Sequence, residues 1–132
     1  MQKESPQIQF EKVQNLVVRQ NEENKVFSNN DPQAVAKMIQ EEGNELVEEV
    51  EKAFLTDDLT AVAGEVGDLF YLLIRLSDLL GINLLDVAMM KHERNTFKYK
   101  DQPDVKTAKD QWKEKGGDDW FYTAYLDYLA NC

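Results

Sequence analysis

The chain of 132 residues lacks most of the features that mark secreted and membrane proteins. Its one cysteine, Cys132, excludes an internal disulfide, so no oxidising compartment is required and a cytoplasmic location is expected. No apolar run approaches the roughly 18 residues of a membrane span. The stretch MQKESPQIQF lacks the apolar core of a signal peptide, so neither a signal sequence nor a membrane partner is expected.

Positive charge is also scarce. The chain contains 15 Lys and Arg residues and 25 Asp and Glu residues, which gives a net charge of −10. This balance argues against non-specific electrostatic binding of nucleic acid, which needs basic patches to displace counterions. It does not exclude a polyanionic ligand that arrives with a divalent metal, since the metal reverses the local field. The single histidine, His92, also disfavours a di-iron bundle, which needs Glu-x-x-His on two helices.

Strand signals are nearly absent, and apolar residues recur at helical spacing. The pattern predicts four main helices, at about 7–24, 32–55, 59–80 and 84–98. Asp31 before Pro32 is typical of an N-cap followed by the first helical position. Gly81 suits a C-terminal stop, and Asn83 suits the next N-cap. The run NEENK is expected to end the first helix, and FSNNDP is expected to be a loop.

Two weaker helical segments follow residue 100. The first contains Val105, Ala108 and Trp112, and the second is the aromatic stretch WFYTAYLDYLANC. We expect these aromatic side chains to pack on the bundle or on a neighbouring subunit. The prediction is therefore an all-α, four-helix-bundle-like single domain over 1–132, with a core at about 7–99 and a C-terminal extension at about 100–132.

The stretch QEEGNELVEEVEK, residues 40–52, contains six glutamates. A rotation of about 100° per helical residue places Glu42 and Glu49 within the apolar arc of the second helix and Glu45 at its edge. The remaining glutamates of the stretch point away from that arc: Glu41, Glu48 and Glu51. Carboxylates on a core-facing stripe are costly unless they are paired or bind a cation. The inward glutamates are therefore candidate metal ligands.

The third helix repeats this feature in GEVGDLFYLL, where Glu65 and Asp68 are three residues apart and share a face with leucines. Two such pairs on facing helices would place four oxygen donors around one cavity. Such a site suits Mg²⁺, which binds carboxylates together with water and substrate phosphates, and Mn²⁺ is a possible substitute. Gly64 and Gly67 are expected to permit close helix approach beside this site.

The fourth helix supplies positive charge. Its apolar face continues into Lys91 and Asn95, with Arg94 at the edge, so this face could meet an anion bound by the metal. An alternative stays open, in which Lys91 forms a buried structural salt bridge with a glutamate of the second helix.

Three segments resemble the all-α nucleoside triphosphate pyrophosphohydrolase superfamily, most closely its MazG-type members: EEGNEL at 41–46, GEVGDLFYLL at 64–73 and KHERN at 91–95. The resemblance covers about residues 32–99. It implies hydrolysis of a nucleoside triphosphate between the α- and β-phosphates, and assembly as a homodimer or homotetramer. It implies that magnesium is held by Glu42, Glu45, Glu65 and Asp68. It also implies that Lys91 and Asn95 contact phosphates.

The predicted function is thus a magnesium-dependent pyrophosphohydrolase that cleaves (d)NTP to (d)NMP and pyrophosphate in nucleotide-pool house-cleaning. Glu41 or Glu49 would orient the attacking water, and Arg94 would join Lys91 at the phosphates. Other superfamily activities stay open, including dUTP or dCTP diphosphatase and phosphoribosyl-ATP pyrophosphohydrolase. A non-catalytic oligomerising bundle is the alternative from a different class.

Overall fold

The computed structural model describes residues 4–23 and 31–131, and these ranges contain six helices and no strand. The helices are α1 Pro6–Glu23, α2 Pro32–Thr56, α3 Thr60–Leu80, α4 Leu84–Tyr99, α5 Val105–Glu114 and α6 Asp119–Ala130. The all-α prediction is confirmed. None of these described helices is long and apolar enough to cross a membrane.

Local capping chemistry sets the helix ends close to the predicted positions. The Asp31 carboxylate accepts a hydrogen bond from the Gln33 amide at 3.0 Å, and Pro32 begins α2. Gly81 ends α3 with φ +68°, a left-handed conformation that favours glycine. Asn83 accepts from the Asp86 amide at 3.2 Å and starts α4. The predicted end of the first helix at residue 24 and most of the predicted FSNNDP loop lie outside the described residues.

The chain divides into two compact units, Met1–Ile82 and Asn83–Cys132. In the first unit, α2 and α3 pack as a helical hairpin, and α1 packs on α3. Its buried apolar residues are Val17, Val35, Ala53, Leu72 and Ile74. The unit boundary groups α4 with the two C-terminal helices, whereas the sequence pattern associated α4 with the first three. The single domain remains a prediction.

In the second unit, α4 packs against both α5 and α6. Phe121 is buried, and its ring is stacked on that of Tyr125 with centroids 6.2 Å apart. Phe97 on α4 contacts Trp120 at 5.9 Å between centroids, and the Tyr128 hydroxyl donates to the Asp86 carboxylate at 2.6 Å. The aromatic tail therefore packs on α4, as its apolar composition led us to expect.

The expectation for the glycines of α3 was wrong. A Cβ atom built on Gly64 or Gly67 would meet no atom within 4 Å among the described residues, and the same holds for Gly43 on α2. No helix therefore approaches these positions closely in the described structure. Their glycines reduce helix propensity without the packing benefit that the sequence suggested.

Candidate metal centre in the first unit

Three glutamates from two helices converge on the α2–α3 hairpin. Glu42, Glu45 and Glu65 each offer one carboxylate oxygen, and these three atoms all lie within 4.8 Å of one another. Glu42 and Glu45 come together because residues three apart are neighbours on a helix surface. Glu65 joins them because α3 packs on α2. The hairpin therefore builds a compact acidic cluster by bringing Glu65 to a glutamate pair that precedes it by 20 or more residues.

The burial pattern of the acidic run agrees with the helical phase inferred from the sequence. Glu42 and Glu49 are half-buried, whereas the other glutamates of the run are exposed: Glu41, Glu45, Glu48 and Glu51. Glu45 at the edge of the arc still reaches the cluster. One helix thus carries glutamates of both kinds, and Glu42 and Glu45 are the two that meet Glu65 of α3.

The neighbouring carboxyls of the cluster raise the pKa values of Glu42 and Glu45. The Glu65 carboxyl, within hydrogen-bonding reach, raises the pKa of Glu42, and partial burial raises it further. The Glu42 carboxyl in turn raises the pKa of Glu45 through a hydrogen bond and through its charge. A hydrogen bond between two carboxyls requires a proton on one of them, so two ionised groups have no donor between them. Accordingly, Glu42 Oε2 and Glu65 Oε2 are both buried without a hydrogen-bond partner.

The residues present fit a hard divalent cation. Buried carboxylate oxygens without donors are costly to leave unmatched, and oxygen is the ligand type that Mg²⁺ prefers. Asp68 lies outside the three-residue cluster and is exposed. Its charge nevertheless contributes to the raised pKa of both Glu42 and Glu45, so it lies near enough to add to the negative field.

The two glutamates predicted to orient water differ in their surroundings. Glu41 is exposed. Glu49 is half-buried and accepts a hydrogen bond from Lys52 Nζ at 3.4 Å. Glu49 follows Glu45 by four residues and therefore lies on the same face of α2, one turn further along. Their proposed roles in catalysis stay predictions.

The predicted phosphate-binding residues belong to the second unit. Lys91 Nζ lies 3.8 Å from the centroid of the Phe121 ring, a cation–π contact. Arg94 donates to Asp118 at 2.9 Å, and Asn95 is exposed. Within the described residues, Lys91 forms no ion pair. The sequence did not predict these two contacts, because the partners are far apart in the chain. Phe121 follows Lys91 by 30 residues, and Asp118 follows Arg94 by 24.

A groove of about 620 Å³ between α1 and α3 was also missed. It is lined by Leu16, Arg19, Gln20, Glu23 and Tyr71. Tyr71 is rotated by about 240° from Glu65 around α3, so the groove opens towards α1 while the acidic cluster faces α2. The neighbouring α1 amides Gln14 and Asn15 do not line it.

Comparison with known proteins yields one match. The family model of phosphoribosyl-ATP pyrophosphohydrolase matches residues 10–95. This range contains the whole acidic cluster and ends at Asn95, before α5 and α6. No curated protein and no solved structure matches the chain.

Proposed function

Because the chain belongs to the phosphoribosyl-ATP pyrophosphohydrolase family, a branch of the MazG-like all-α nucleoside triphosphate pyrophosphatase superfamily, we propose that it hydrolyses the α–β anhydride of a nucleoside triphosphate. Membership places the chain among the pyrophosphohydrolases, which are hydrolases of phosphoric anhydrides. The products would be a nucleoside monophosphate and pyrophosphate. The observation that carries the proposal is the cluster of Glu42, Glu45 and Glu65, whose oxygens lie within 4.8 Å of one another.

In this proposal Glu42, Glu45 and Glu65 hold a divalent cation, with Asp68 as a further ligand or as a nearby source of negative charge. Magnesium, or manganese in its place, would neutralise phosphate charge and lower the pKa of a bound water. Two buried oxygens without donors, Glu42 Oε2 and Glu65 Oε2, support this assignment because ligation would satisfy both.

Other side chains would position the reactants. Glu49 is half-buried on the same face of α2 as Glu45 and would accept a hydrogen bond from the attacking water, with Glu41 as the second candidate. On α4, Lys91 and Arg94 would offset phosphate charge, and the exposed Asn95 amide would donate to a phosphate oxygen. The phosphate contacts of Lys91 and Asn95 follow the superfamily resemblance, and each of these roles can be tested by substitution.

Two substrates are candidates. An ordinary ribo- or deoxynucleoside triphosphate, cleaved in nucleotide-pool house-cleaning, follows from the MazG-type resemblance of the three motifs. Phosphoribosyl-ATP is favoured by the family match over residues 10–95, and it carries the same triphosphate. Both substrates would use the same cleaved bond and the same acidic cluster, so they differ only in the part of the molecule attached to the triphosphate.

We also propose assembly as a homodimer or homotetramer. Phe54, Leu55 and Leu59, at the turn of the α2–α3 hairpin, are 84%, 88% and 66% exposed. Phe54 and Leu59 line one apolar groove, and exposed apolar surface that is grouped in this way is characteristic of protein interfaces. Sedimentation of the wild type and of a Phe54→Ser/Leu55→Ser variant tests this, since a shift of the variant to monomer is expected.

The central experiment is a substrate panel. All common ribo- and deoxynucleoside triphosphates and phosphoribosyl-ATP are incubated with the protein and Mg²⁺, and monophosphate and pyrophosphate are assayed separately. We expect both products in equal amounts from at least one substrate, and none in EDTA. Orthophosphate as the first product would contradict α–β cleavage. Absence of turnover with every substrate would favour the non-catalytic bundle.

A further inference from the structure

Positive charge is concentrated in one segment of this acidic protein. Residues 91–115 contain seven lysines and one arginine against five carboxylates, a local net charge of +3 in a chain of −10. The carboxylates are concentrated elsewhere, because residues 1–82 alone carry a net charge of −9. A segment of this sign would attract small anions despite the overall charge.

The structure forms part of this segment into a groove of about 730 Å³ in the second unit. Three of its lysines belong to α5, namely Lys106, Lys109 and Lys113, and Lys98 comes from α4. The α5 lysines fall within an arc of about 60°, with Trp112 next to Lys109 around the helix. The groove volume lies within the range of typical small-ligand pockets.

The charges of the groove lysines are only partly offset within the unit, where Lys98 lies close enough to Asp118 to contribute to the lowered pKa of that carboxyl. Within the described residues, none of the four forms an ion pair, and three of them are exposed. Like charges three or four residues apart repel one another on a helix. Asp110 also lines the groove and offsets part of this charge. A bound anion would remove the remaining repulsion.

The wall of the groove next to Trp112 is held in place. Trp112 Nε1 donates to Asp118 Oδ1 at 3.1 Å, and Arg94 donates to the same oxygen at 2.9 Å. The indole is therefore fixed in orientation, and the Asp118 charge is already matched within the unit. What faces the groove is an oriented aromatic ring beside a row of lysines.

We propose that this groove is a binding site for a free nucleotide, separate in its residues from the acidic cluster. Lys98, Lys109 and Lys113 would contact the phosphates, and the base would lie against the Trp112 ring. A small ligand fits better than a long polyanion, because the −9 charge of residues 1–82 would repel an extended nucleic acid. The site lies beyond residue 95, where the family match ends.

Direct binding to the full chain tests this proposal. ATP is titrated in EDTA into a Trp120→Phe variant, so that Trp112 is the only tryptophan and no metal can bind the acidic cluster. We expect saturable quenching of Trp112 fluorescence by ATP. Inorganic tripolyphosphate should compete with ATP, yet cause little quenching by itself because it has no base.

A matched pair of charge variants locates the site. Lys109→Gln/Lys113→Gln should weaken ATP binding by about tenfold or more, since two phosphate contacts are lost. Lys100→Gln/Lys115→Gln removes the same charge from exposed positions outside the groove and should leave the affinity within about twofold. Circular dichroism checks that all variants are folded.

Three results would overturn the proposal. Equal weakening by both variant pairs would indicate diffuse charge attraction without a defined site. An absence of saturable quenching at millimolar ATP would remove the site altogether. Tighter binding of single-stranded oligothymidylate than of ATP would identify nucleic acid as the ligand instead. Because the titration contains no metal, none of these results depends on hydrolysis at the acidic cluster.

Discussion

At the scale of single residues, glutamates on the same helix, α2, lie in different environments. Glu42 meets Glu65 across the hairpin and has a buried oxygen without a partner, whereas Glu48, six residues later, is exposed. The native fold holds carboxyl oxygens of Glu42 and Glu65 within 4.8 Å of one another, and Glu65 is the main cause of the raised pKa of Glu42. The electrostatic cost of the candidate site therefore falls on a few carboxyls, chiefly those of Glu42 and Glu65.

The contrast between Glu42 and Glu48 predicts unequal effects on activity. Glu42→Gln should lower the rate of magnesium-dependent hydrolysis by about a hundredfold or more, the scale on which loss of one electrostatic stabiliser acts in enzyme sites. Glu48→Gln should leave most of the activity, since it removes the same charge from solvent. Steady-state rates of both variants on the best substrate of the panel test this. Equal losses would show that the assigned faces of α2 are wrong.

The repulsion in the cluster predicts a stability change without metal. In EDTA, Glu65→Gln should raise the melting temperature, because its amide can donate to the buried oxygen of Glu42. Magnesium should raise the melting temperature of the wild type by binding the native state, and this shift should vanish in the variant. Thermal denaturation with EDTA and with magnesium measures both effects. A magnesium shift that survives Glu65→Gln would place the metal elsewhere.

At the scale of helices, capping side chains decide where each element begins. Asp31, Asn83 and Asp104 each accept a hydrogen bond from an amide two or three residues later. For Asp104 this acceptor bond, from Thr107 at 2.7 Å, holds the pKa of the carboxyl below its usual value. Short-range chemistry of this kind is readable from the sequence, because the partners are adjacent in the chain.

The cap of α5 predicts a pH-dependent contribution to stability. Since the folded pKa of Asp104 is lowered, its contribution is fully present above the unfolded pKa of 3.8 and is lost as the pH falls through the folded pKa. Asp104→Asn keeps a capping oxygen but cannot titrate, so it should be nearly as stable as wild type at pH 7. Its stability should then fall less between pH 5 and about pH 2 than that of the wild type.

Urea denaturation of wild type, Asp104→Asn and Asp104→Ala at several pH values measures this difference. The alanine variant should be the least stable of the three at pH 7, because it offers no acceptor to the Thr107 amide. Parallel pH profiles for wild type and Asp104→Asn would show that the cap carries no linked proton.

At the scale of the whole molecule, charge and chemistry are unevenly divided between the two units. Residues 1–82 hold the acidic cluster and nearly all of the net negative charge, whereas residues 83–132 are close to neutral and carry the basic groove. The second unit depends on its tail, because α6 covers α4 with buried Phe121 and with the hydrogen bond from Tyr128 to Asp86.

Removal of the tail should lower stability or oligomer order, while the hydrolysis rate of the remaining folded protein is largely kept. Truncation after Lys100 should destabilise α4, since Phe97 loses Trp120 and Arg94 loses Asp118. Phe121→Ala is the milder variant, expected to cost about 3 kcal/mol in unfolding free energy as a buried aromatic truncation. In both variants the hydrolysis rate per molecule with α4 folded should be largely kept, because the proposed metal ligands lie on α2 and α3 and the proposed phosphate contacts lie on α4, not on the tail.

Sedimentation and a rate corrected for the folded fraction measure these outcomes together. A truncated protein that is well folded, keeps its oligomer size and has no turnover would contradict the assignment of the tail to packing. Its aromatic side chains would then have to contact the nucleotide.

What the sequence alone determined is the local architecture. Helix positions, the caps at Asp31 and Asn83, the stop at Gly81 and the inward phase of Glu42 all depend on residues within a few positions of one another, and so they could be predicted. The grouping of Glu42 with Glu65 was also anticipated, but only because two acidic motifs lay on apolar faces that must pack together.

The tertiary structure decided which distant side chains meet. Lys91 lies on Phe121, Arg94 pairs with Asp118, and among the described helices none lies close to Gly67. Such contacts join residues 24 or more positions apart, and each is selected among many alternatives of similar energy by the packing of whole helices. The lysines of α5 line a groove because α4 and the turn at Gly117 form its other walls.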